Sequence, residues 1–388
     1  MKTGRGALSI AQVNYSFDSR LTEPDALLER YFTLTGWGEA LAAAGAGRVA
    51  VVQRFHRSAR ITKNGIDYIF TGAGGLGLAR TVAAIGPDIV HVNGLVFPVQ
   101  TWLVRRAVPA TTAIVVQNHS PDGAIGRAPW LRLLGRAGRG AADAFLFAAA
   151  EHADPWRRAG FISAAHPTYQ VMEASSPLRP VARAAAREAT GMRGSPAVLW
   201  VGRLNANKDP LTVLDGFERS LARLPDATLT MIYSTDELLP HVRMRVASAP
   251  ALRARVNLVG AVPHERIVTY FSAADLFVVG SHREGSGYAL MEACACGAVP
   301  VVTDIPTFRL LTGGAAGALW PTGDAAAFAS ALADVGLRDL QIERARLADH
   351  FARALTWDAV GRRALEIYEE VLRSRRSRTP VLSASEGS

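Results

Sequence analysis

Short apolar runs alternate with helical segments along most of the 388-residue chain. In the first half, the apolar runs are 8–15, 48–55, 88–93, 112–118 and 142–147, with a helical run at 27–44. In the second half, they are 197–201, 227–233, 256–259, 275–279 and 299–303, with helical runs at 210–224, 264–274 and 287–297. Such alternation is typical of a parallel sheet covered by helices, because each strand is then buried on both faces. The sequence therefore predicts an α/β fold.

A polar stretch at 173–180 interrupts the alternation once, and the chain is too long for one ordinary core. We therefore expect two doubly wound, Rossmann-like domains that face a central cleft, where ligands of open α/β sheets bind. The predicted boundaries are an N-terminal domain at 1–175, a linker at 176–195, a C-terminal domain at 196–355, a terminal helix at 356–374 and a disordered tail at 375–388.

The formal charge of +9 favours anionic partners, namely nucleotide phosphates, nucleic acid or an anionic membrane surface. Zinc-finger spacings and strands that interleave basic with aromatic residues do not occur, so nucleic acid is not an expected partner. No apolar span approaches about 18 residues and no cleavable apolar segment follows Met1, which predicts a cytoplasmic protein. Cys294 and Cys296 point in different directions on a helix, so we expect packing rather than a disulfide or a metal site.

Two glutamates, Glu284 and Glu292, flank a glycine loop between a predicted strand and a predicted helix. The bare backbone of Gly285 and Gly287, with the free N–H groups that open the helix, can bind phosphate oxygens. A carboxylate can accept two hydrogen bonds from a sugar diol. The segment therefore suits a ligand with both phosphate and hydroxyl groups, such as a nucleotide-sugar.

Two cations follow the apolar run at 197–201. Arg203 and Lys208 lie on a loop before a helix that Asp209 can cap and Pro210 can start. A guanidinium and an ammonium group that converge there could neutralise a diphosphate without a metal ion. A pair of solvated surface charges is the alternative, and the spacing alone leaves both open.

The segments 201–208, 283–287 and 292–302 together resemble the nucleotide-sugar half of family 4 glycosyltransferases, which are retaining enzymes of the GT-B fold. The resemblance is strong over roughly 196–320 and loose in the first half. It implies an acceptor-side N-terminal domain, a nucleotide-sugar-binding C-terminal domain and a terminal helix that crosses back to the first domain. The implied partners are a nucleoside-diphosphate-sugar donor and a hydroxyl acceptor, with no cofactor.

The resemblance also assigns roles to residues of the second half. Those that would contact the donor are Arg203, Lys208, Glu284, Gly285, Ser286, Gly287, Tyr288 and Glu292. Arg203 and Lys208 would hold the diphosphate, and the backbone at 286–288 would bind its terminal phosphate region. Glu284 would contact the transferred sugar, and Glu292 would bind the ribose hydroxyls.

A histidine ends the apolar run at 112–118 in the first half. The family commonly has a histidine in a similar place, near the sugar hydroxyls, and His119 matches it. With Arg203, Lys208 and Glu284, His119 completes the predicted catalytic group. A structural role is the alternative for an isolated histidine at a strand end. His91 lies inside its strand, where core packing is the expected role.

The predicted activity is transfer of a hexosyl or related glycosyl group to a hydroxyl acceptor, with retention of anomeric configuration implied by the family. Cations and loop amides would stabilise the departing diphosphate. No Asp-x-Asp segment is present to hold a divalent ion, so we expect a metal-independent reaction. Two alternatives stay open: a nucleotide-sugar epimerase or hydrolase of the same fold, and a non-catalytic nucleotide-sugar-binding protein.

Three other segments bear on these predictions. The glycine run at 72–77 has the spacing of a dinucleotide-binding loop, but no acidic residue for a ribose ends the next strand, which favours a plain glycine loop. The segment 127–139 mixes cations with a Trp–Leu face and could lie peripherally on the inner membrane surface, or be an ordinary surface helix. The segment 14–18 departs from the glycine pair that family members often carry after the first strand.

Overall fold

The computed structural model describes residues 7–119 and 129–378 of the chain. These residues form two compact units, the first within 1–175 and 357–388 and the second within 176–356. Each unit is built on its own sheet, flanked by helices, as expected for an α/β protein.

The sheet of the first unit has eight strands in the order β3-β4-β2-β1-β5-β6-β7-β8. The strands are β1 (Ser9–Asn14), β2 (Arg48–Arg54), β3 (Ala59–Lys63), β4 (Ile66–Thr71), β5 (Ile89–Asn93), β6 (Ala113–Gln117), β7 (Ala144–Phe147) and β8 (Thr168–Gln170). All neighbours pair in parallel except β3, which pairs antiparallel with β4. The prediction of a wholly parallel sheet is therefore wrong at this edge, where a two-residue turn, Asn64-Gly65, makes a hairpin.

The central strands of this sheet are buried on both faces, which explains their continuous apolar character. Ile10, Val90 and Ile114 lie on three successive strands and have no exposed surface. Helices cover the sheet: α1 (Pro24–Arg30), α2 (Phe32–Ala43), α3 (Gly75–Ile85), α4 (Pro98–Ala107), α5 (Pro129–Gly138) and α6 (Asp154–Arg158). The single helix predicted at 27–44 is in fact two helices, because the backbone of Tyr31 leaves the helical region.

The sheet of the second unit has six parallel strands in the order β11-β10-β9-β12-β13-β14. The strands are β9 (Ala197–Gly202), β10 (Thr228–Tyr233), β11 (Val256–Gly260), β12 (Leu276–Val279), β13 (Val299–Thr303) and β14 (Ala318–Trp320). The strand order reverses between β9 and β12. In open α/β sheets, ligands bind beyond the carboxyl ends of the strands at such a switch point.

The helices of the second unit are α7 (Arg183–Thr190), α8 (Pro210–Ser220), α9 (Leu239–Ser248), α10 (Pro250–Arg255), α11 (His264–Ala273), α12 (Tyr288–Ala295), α13 (Pro306–Thr312), α14 (Ala325–Gly336) and α15 (Leu340–His350). Helix α7 lies inside the segment predicted as a linker, so that segment is not plain linker. Arg183 and Arg187 of α7 pair with Asp275. These ion pairs explain how a short, polar helix is held against the sheet.

The last described helix, α16 (Trp357–Arg378), belongs to the first unit and packs on α2. A Cβ atom at Gly36 would lie 2.4 Å from the indole of Trp357, so only glycine allows this approach. Trp37 donates from Nε1 to the Tyr368 hydroxyl at 3.2 Å, and that hydroxyl also contacts His91 Nδ1. Tyr368 therefore ties α16 to the centre of the sheet.

Two predictions about this part of the chain have definite outcomes. Burial lowers the pKa of His91 to about 3, so His91 is a neutral core residue, as expected. The predicted disordered tail starts too early, because 375–378 continue α16 and Arg375 pairs with Asp143 at 2.9 Å. The remainder of that predicted tail lies outside the described residues.

Candidate functional site

The loop after β9 is built by local capping interactions. Asn205 accepts a hydrogen bond from the backbone of Lys208 at 3.1 Å, which closes a 3₁₀ turn. Asp209 then takes a left-handed conformation, with φ of 43°, and caps α8 by accepting from Thr212 N at 3.3 Å. Non-glycine residues rarely adopt this conformation, and it costs roughly 1 kcal/mol or more. These interactions fix the conformation of the loop, which directs Lys208 toward the loop after β12.

The loop after β12 is joined to this first loop by several hydrogen bonds. His282 N donates to Asn207 O at 2.8 Å, and Asn207 Nδ2 donates to Arg283 O at 3.0 Å. The side chain of His282 contacts Asp209 Oδ2 at 3.1 Å. A Cβ atom at Gly280 would come within 3.0 Å of a backbone carbonyl of the first loop, so the two backbones touch there. The two loops at the switch point are therefore held together by hydrogen bonds and by direct backbone contact.

Lys208 and Glu284 meet between these two loops. Lys208 Nζ forms an ion pair with Glu284 Oε1, and each side chain is only 14% exposed. Ion pairs shielded from water keep more of their Coulomb attraction than surface pairs. The two predicted site residues, 76 positions apart in sequence, are thus in direct contact.

The glycine loop leads directly into α12. Gly287 precedes the helix with φ of 65°, and a Cβ atom there would lie 2.8 Å from Leu311 Cδ1. The hydroxyl of Thr307 donates to the carbonyl oxygens of Glu284 and Gly285, at 2.8 and 3.0 Å. These contacts hold the loop so that the N–H groups at the start of α12 stand beside it.

Glu292 lies in the second turn of α12 and is 15% exposed. Burial raises its pKa above the ordinary value for glutamate, while His264, 3.3 Å away, acts in the opposite direction. His264 starts α11 and is largely exposed. The second glutamate is therefore a largely buried acceptor with one histidine neighbour.

The other predicted donor residues lie around this centre. Arg203 follows β9 and is exposed, with no ion-pair partner among the described residues. Ser286 lies within the glycine loop, and Tyr288 is the first residue of α12 and is 42% exposed. All eight predicted donor residues thus lie on the two loops after β9 and β12 and on α12.

His119 lies in the first unit, two residues beyond the end of β6. Its Nδ1 is 2.5 Å from Glu173 Oε2, and its Nε2 is 3.2 Å from Asn93 Oδ1. The His119 side chain is 42% exposed, whereas the Glu173 carboxylate is 2% exposed. Nδ1 therefore lies at ion-pair distance from a buried carboxylate oxygen, and Nε2 lies within hydrogen-bond distance of an amide oxygen.

Glu173 is a residue that the sequence interpretation missed, since it was included in the polar stretch that interrupts the α/β pattern. The structure places it three residues after the short strand β8, which pairs with β7 and so brings Glu173 to the same sheet edge as His119. The apolar Val171 and Met172, both buried, are the only local sign that this segment enters the core.

The remaining candidates are the two cysteines, the glycine run and the predicted membrane-facing segment. Cys294 and Cys296 are buried free thiols, and burial raises the pKa of Cys296 to about 12. The glycine run at 72–77 joins β4 to α3. Part of the predicted membrane-facing segment, 127–128, lies outside the described residues, and 129–138 form α5. Among the described residues, no helix is both long and apolar enough to cross a bilayer.

Comparison with known proteins shows what this chain is similar to. Residues 195–336 match the family model described as "Glycosyl transferases group 1". D-inositol 3-phosphate glycosyltransferase from Nocardia farcinica is 30% identical over 202 residues, which cover 50% of this chain and 45% of the relative. The chain thus spans about half the length of the curated relatives it matches.

Solved structures share the two-unit fold at lower identity. Sucrose-phosphate synthase from Thermosynechococcus elongatus has a TM-score of 0.66 and 19% identity, and the match covers 94% of this chain and 100% of that one. HepE from Anabaena, solved in complex with UDP, has a TM-score of 0.66 and 15% identity, with coverage of 94% and 100%. These are GT-B structures. The predicted fold class and family resemblance are confirmed: the chain has the GT-B fold, and its second unit is similar to the group 1 glycosyltransferases.

Proposed function

We propose that the protein transfers a glycosyl group from a nucleoside-diphosphate-sugar to a hydroxyl acceptor, with retention of anomeric configuration. The observation that carries the proposal is the Lys208–Glu284 pair, held at the switch point by two interlocked loops and followed by a glycine loop and Glu292. A cation, the amides at the start of α12 and two carboxylates suit the phosphates, sugar and ribose of such a donor.

The departing diphosphate is the group that most needs stabilisation in this reaction. Lys208 stands at the switch point, Arg203 is exposed on the same loop, and the amides that open α12 follow Gly287. Preorganised charges of this kind stabilise negative charge as it develops and need little rearrangement during the reaction. The group would carry out the role that a divalent ion has in other transferases.

Glu284 has a double role in this proposal. In the free protein its carboxylate neutralises Lys208, so neither charge is left alone in a partly buried place. A bound diphosphate would attract Lys208, and Glu284 would then be available to accept hydrogen bonds from the transferred sugar. Glu292, on the next turn of helix, would accept from the ribose.

The relatives guide the choice of acceptor. The relative from Nocardia and the synthase from Thermosynechococcus are both named for phosphate-bearing products or substrates. Phosphorylated polyols and sugars are therefore the first hydroxyl acceptors to test against this basic chain.

The test combines donor binding with transfer. Nucleoside diphosphates and their sugars are screened by thermal shift, because a ligand at 100 times its Kd adds about 2.7 kcal/mol of stability. The best donor is then used in transfer assays with Lys208→Ala and Glu292→Ala. We expect each variant to lose at least about a hundredfold in kcat/KM. If both variants turn over as fast as the unaltered protein, Lys208 and Glu292 are not part of the donor site.

We also propose that one face of the first unit contacts an anionic membrane. Helices α3, α4 and α5 pack side by side. Their sequences contain no acidic residue and four arginines besides Arg105, whose guanidinium lies inward beside Asp143. Their large exposed apolar side chains are Leu76, Val99, Trp102 and Leu133. An arginine follows one turn later on each helix, namely Arg80, Arg106 and Arg136. Apolar side chains rimmed by cations suit the interface of a bilayer with anionic lipids.

Vesicle sedimentation tests this contact. We expect binding to vesicles with phosphatidylserine, little binding to neutral vesicles, and loss of binding in Trp102→Ser with Leu133→Ser. Met244→Ser is the matched control, since Met244 is equally exposed but its neighbour Arg245 is paired with Asp215 and Glu218. Equal binding by the control and the double variant, or binding to RNA but not to vesicles, would contradict the proposal.

A further inference from the structure

Three arginines converge on one carboxylate in the second unit. Asp275 immediately precedes β12, and it pairs with Arg183 and Arg187 of α7 and with Arg344 of α15. The four residues of β12, about 13 Å of extended chain, separate Asp275 from the loop that carries Glu284. The cluster therefore lies at the amino ends of the strands, apart from the candidate donor site.

The cluster carries more positive than negative charge. Arginine stays protonated in proteins, so three guanidinium groups face one carboxylate. Arg183 Nη1 and Arg344 Nη2 both donate to Oδ1 of Asp275, at 3.3 and 2.8 Å, so these two nitrogens are no farther apart than the sum of those distances, 6.1 Å. Burial lowers the pKa of Arg183, and the charge of Arg344 acts in the same direction. Like charges this close repel each other, and an anion beside them would offset the repulsion.

The carboxylate of Asp275 has no acceptor capacity left for a further donor. Its Oδ1 accepts from Arg183 and Arg344, and its Oδ2 accepts from Arg187 and from the backbone N–H of Ala197 at 2.9 Å. A carboxylate has about four lone-pair sites, and all of these are used here. The other N–H groups of the three arginines therefore need a different acceptor.

Several of those N–H groups have no partner in the protein. Within the described part of the chain, only Nη2 of Arg344 makes a hydrogen bond, and its Nε is buried without an acceptor. Arg183 uses only Nη1, which donates to Ala274 O and to Asp275. The three side chains are 16% to 32% exposed, so a solute can reach them. Guanidinium groups present their donors in a planar fork that matches the oxygens of a phosphate group.

We infer that Arg183, Arg187 and Arg344 form a binding site for a small phosphate-bearing anion, either inorganic phosphate or a phosphomonoester. The inference does not rest on the proposed function, because the cluster shares no residue with the donor loops. The anion would accept hydrogen bonds from α7 and α15 together, while Asp275 holds the guanidinium groups in place. Its binding would therefore fasten both helices to the amino ends of β9 and β12.

Titration calorimetry with sodium phosphate at constant ionic strength tests the site. All proteins carry Lys208→Ala, which weakens phosphate binding at the donor loops. Added Arg344→Gln should weaken phosphate binding about tenfold, because it removes a charged donor. Added Asp275→Asn should strengthen binding about threefold, because it removes the one negative charge. Arg245→Gln should leave the affinity unchanged, since Arg245 lies between two carboxylates, Asp215 and Glu218. Glycerol phosphate in place of inorganic phosphate identifies which of the two anions the site prefers.

Hydrogen exchange in the unaltered protein tests the location without any variant. Phosphate should slow exchange in the backbone amides of α7 and α15 but not in those of α9, and sodium chloride at the same ionic strength should have no such effect. If phosphate leaves exchange in α7 and α15 unchanged, the site is refuted. Equal phosphate affinity with and without Arg344→Gln would also overturn the inference and would leave the cluster as a support for the two helices.

Discussion

Breaking the Lys208–Glu284 pair should destabilise the second unit by an amount that a double-mutant cycle can isolate. Lys208→Met and Glu284→Gln each remove one charge with little change of volume. A hydrogen bond to a charged group contributes about 1.5–3 kcal/mol, and both partners are 86% shielded from solvent, as their 14% exposure shows. Each single variant should lose this interaction and leave one charge without its partner. We therefore expect a coupling free energy of about 2 kcal/mol, which is a factor of about 30 in an equilibrium constant.

Hydrogen exchange of the strand amides in β9 and β12, followed by mass spectrometry, measures this coupling within the second unit. It reports local opening and does not require both units to unfold together. The matched control is the pair Arg223–Asp334, which is 2.6 Å apart and 51% exposed on both sides. Exposed pairs contribute about 0.2–1 kcal/mol, so its coupling should be several times smaller. Equal coupling in the two cycles would refute the reasoning from burial.

The same pair leads to a prediction about donor binding: removal of the Glu284 charge should strengthen the binding of a nucleoside diphosphate. Because Glu284 competes with a diphosphate for Lys208, Glu284→Gln should bind a nucleoside diphosphate without its sugar about threefold tighter or more. The same variant should gain no affinity for the complete nucleotide-sugar, since the sugar would lose its carboxylate partner. Titration calorimetry with both ligands measures the two effects. Weaker binding of the bare diphosphate would show that Glu284 does not compete for Lys208.

Three further predictions follow from the backbone and from the pKa of one carboxyl. Gly287→Ala should lower the free energy of unfolding by at least about 1–2 kcal/mol and weaken diphosphate binding. Gly297 has φ of 77° but no atom within 4 Å of an added Cβ, so Gly297→Ala should cost only the strain of a left-handed backbone. Thermal unfolding and calorimetry compare the two variants. Because burial raises the pKa of Glu292, nucleoside binding should weaken on acidification at a pH above the range of an ordinary glutamate, and Glu292→Gln should abolish this dependence. Gly361→Ala would place a Cβ atom 2.2 Å from a backbone carbonyl of α2, so hydrogen exchange should show loosening of the first unit but not of the second.

The positions of the candidate donor residues could be predicted from sequence, because these residues lie directly on element boundaries. Val201-Gly202-Arg203 ends a strand, and Gly285 to Gly287 opens a helix, so local pattern and motif coincide with structure. The strand predicted at 299–303 begins and ends at the same residues as β13. What the pattern could not supply was the pairing of Lys208 with Glu284, which depends on β9 and β12 being neighbours in the sheet.

The contacts described above for Glu173 and for α7 were harder to predict, because the residues that meet there are far apart in the sequence. The position of Glu173 near His119 can be recognised only once β8, a strand of three residues, is known to pair with β7. Helix α7 was missed because its stability comes from Arg183 and Arg187 reaching Asp275, about 90 positions away, rather than from an apolar stripe. Short elements held by distant charges leave little periodicity in the sequence.

The docking of α16 on the first unit has a consequence for the way the chain matures during translation. The ribosome releases 176–356 before it releases α16, so the second unit can complete its sheet while the first still lacks its last helix. Until then α2 has no cover over Trp37, and Tyr368 is not yet there to satisfy His91. The nascent first unit would therefore wait, partly open, until α16 has been synthesised, and it would become native after the second unit has completed its sheet.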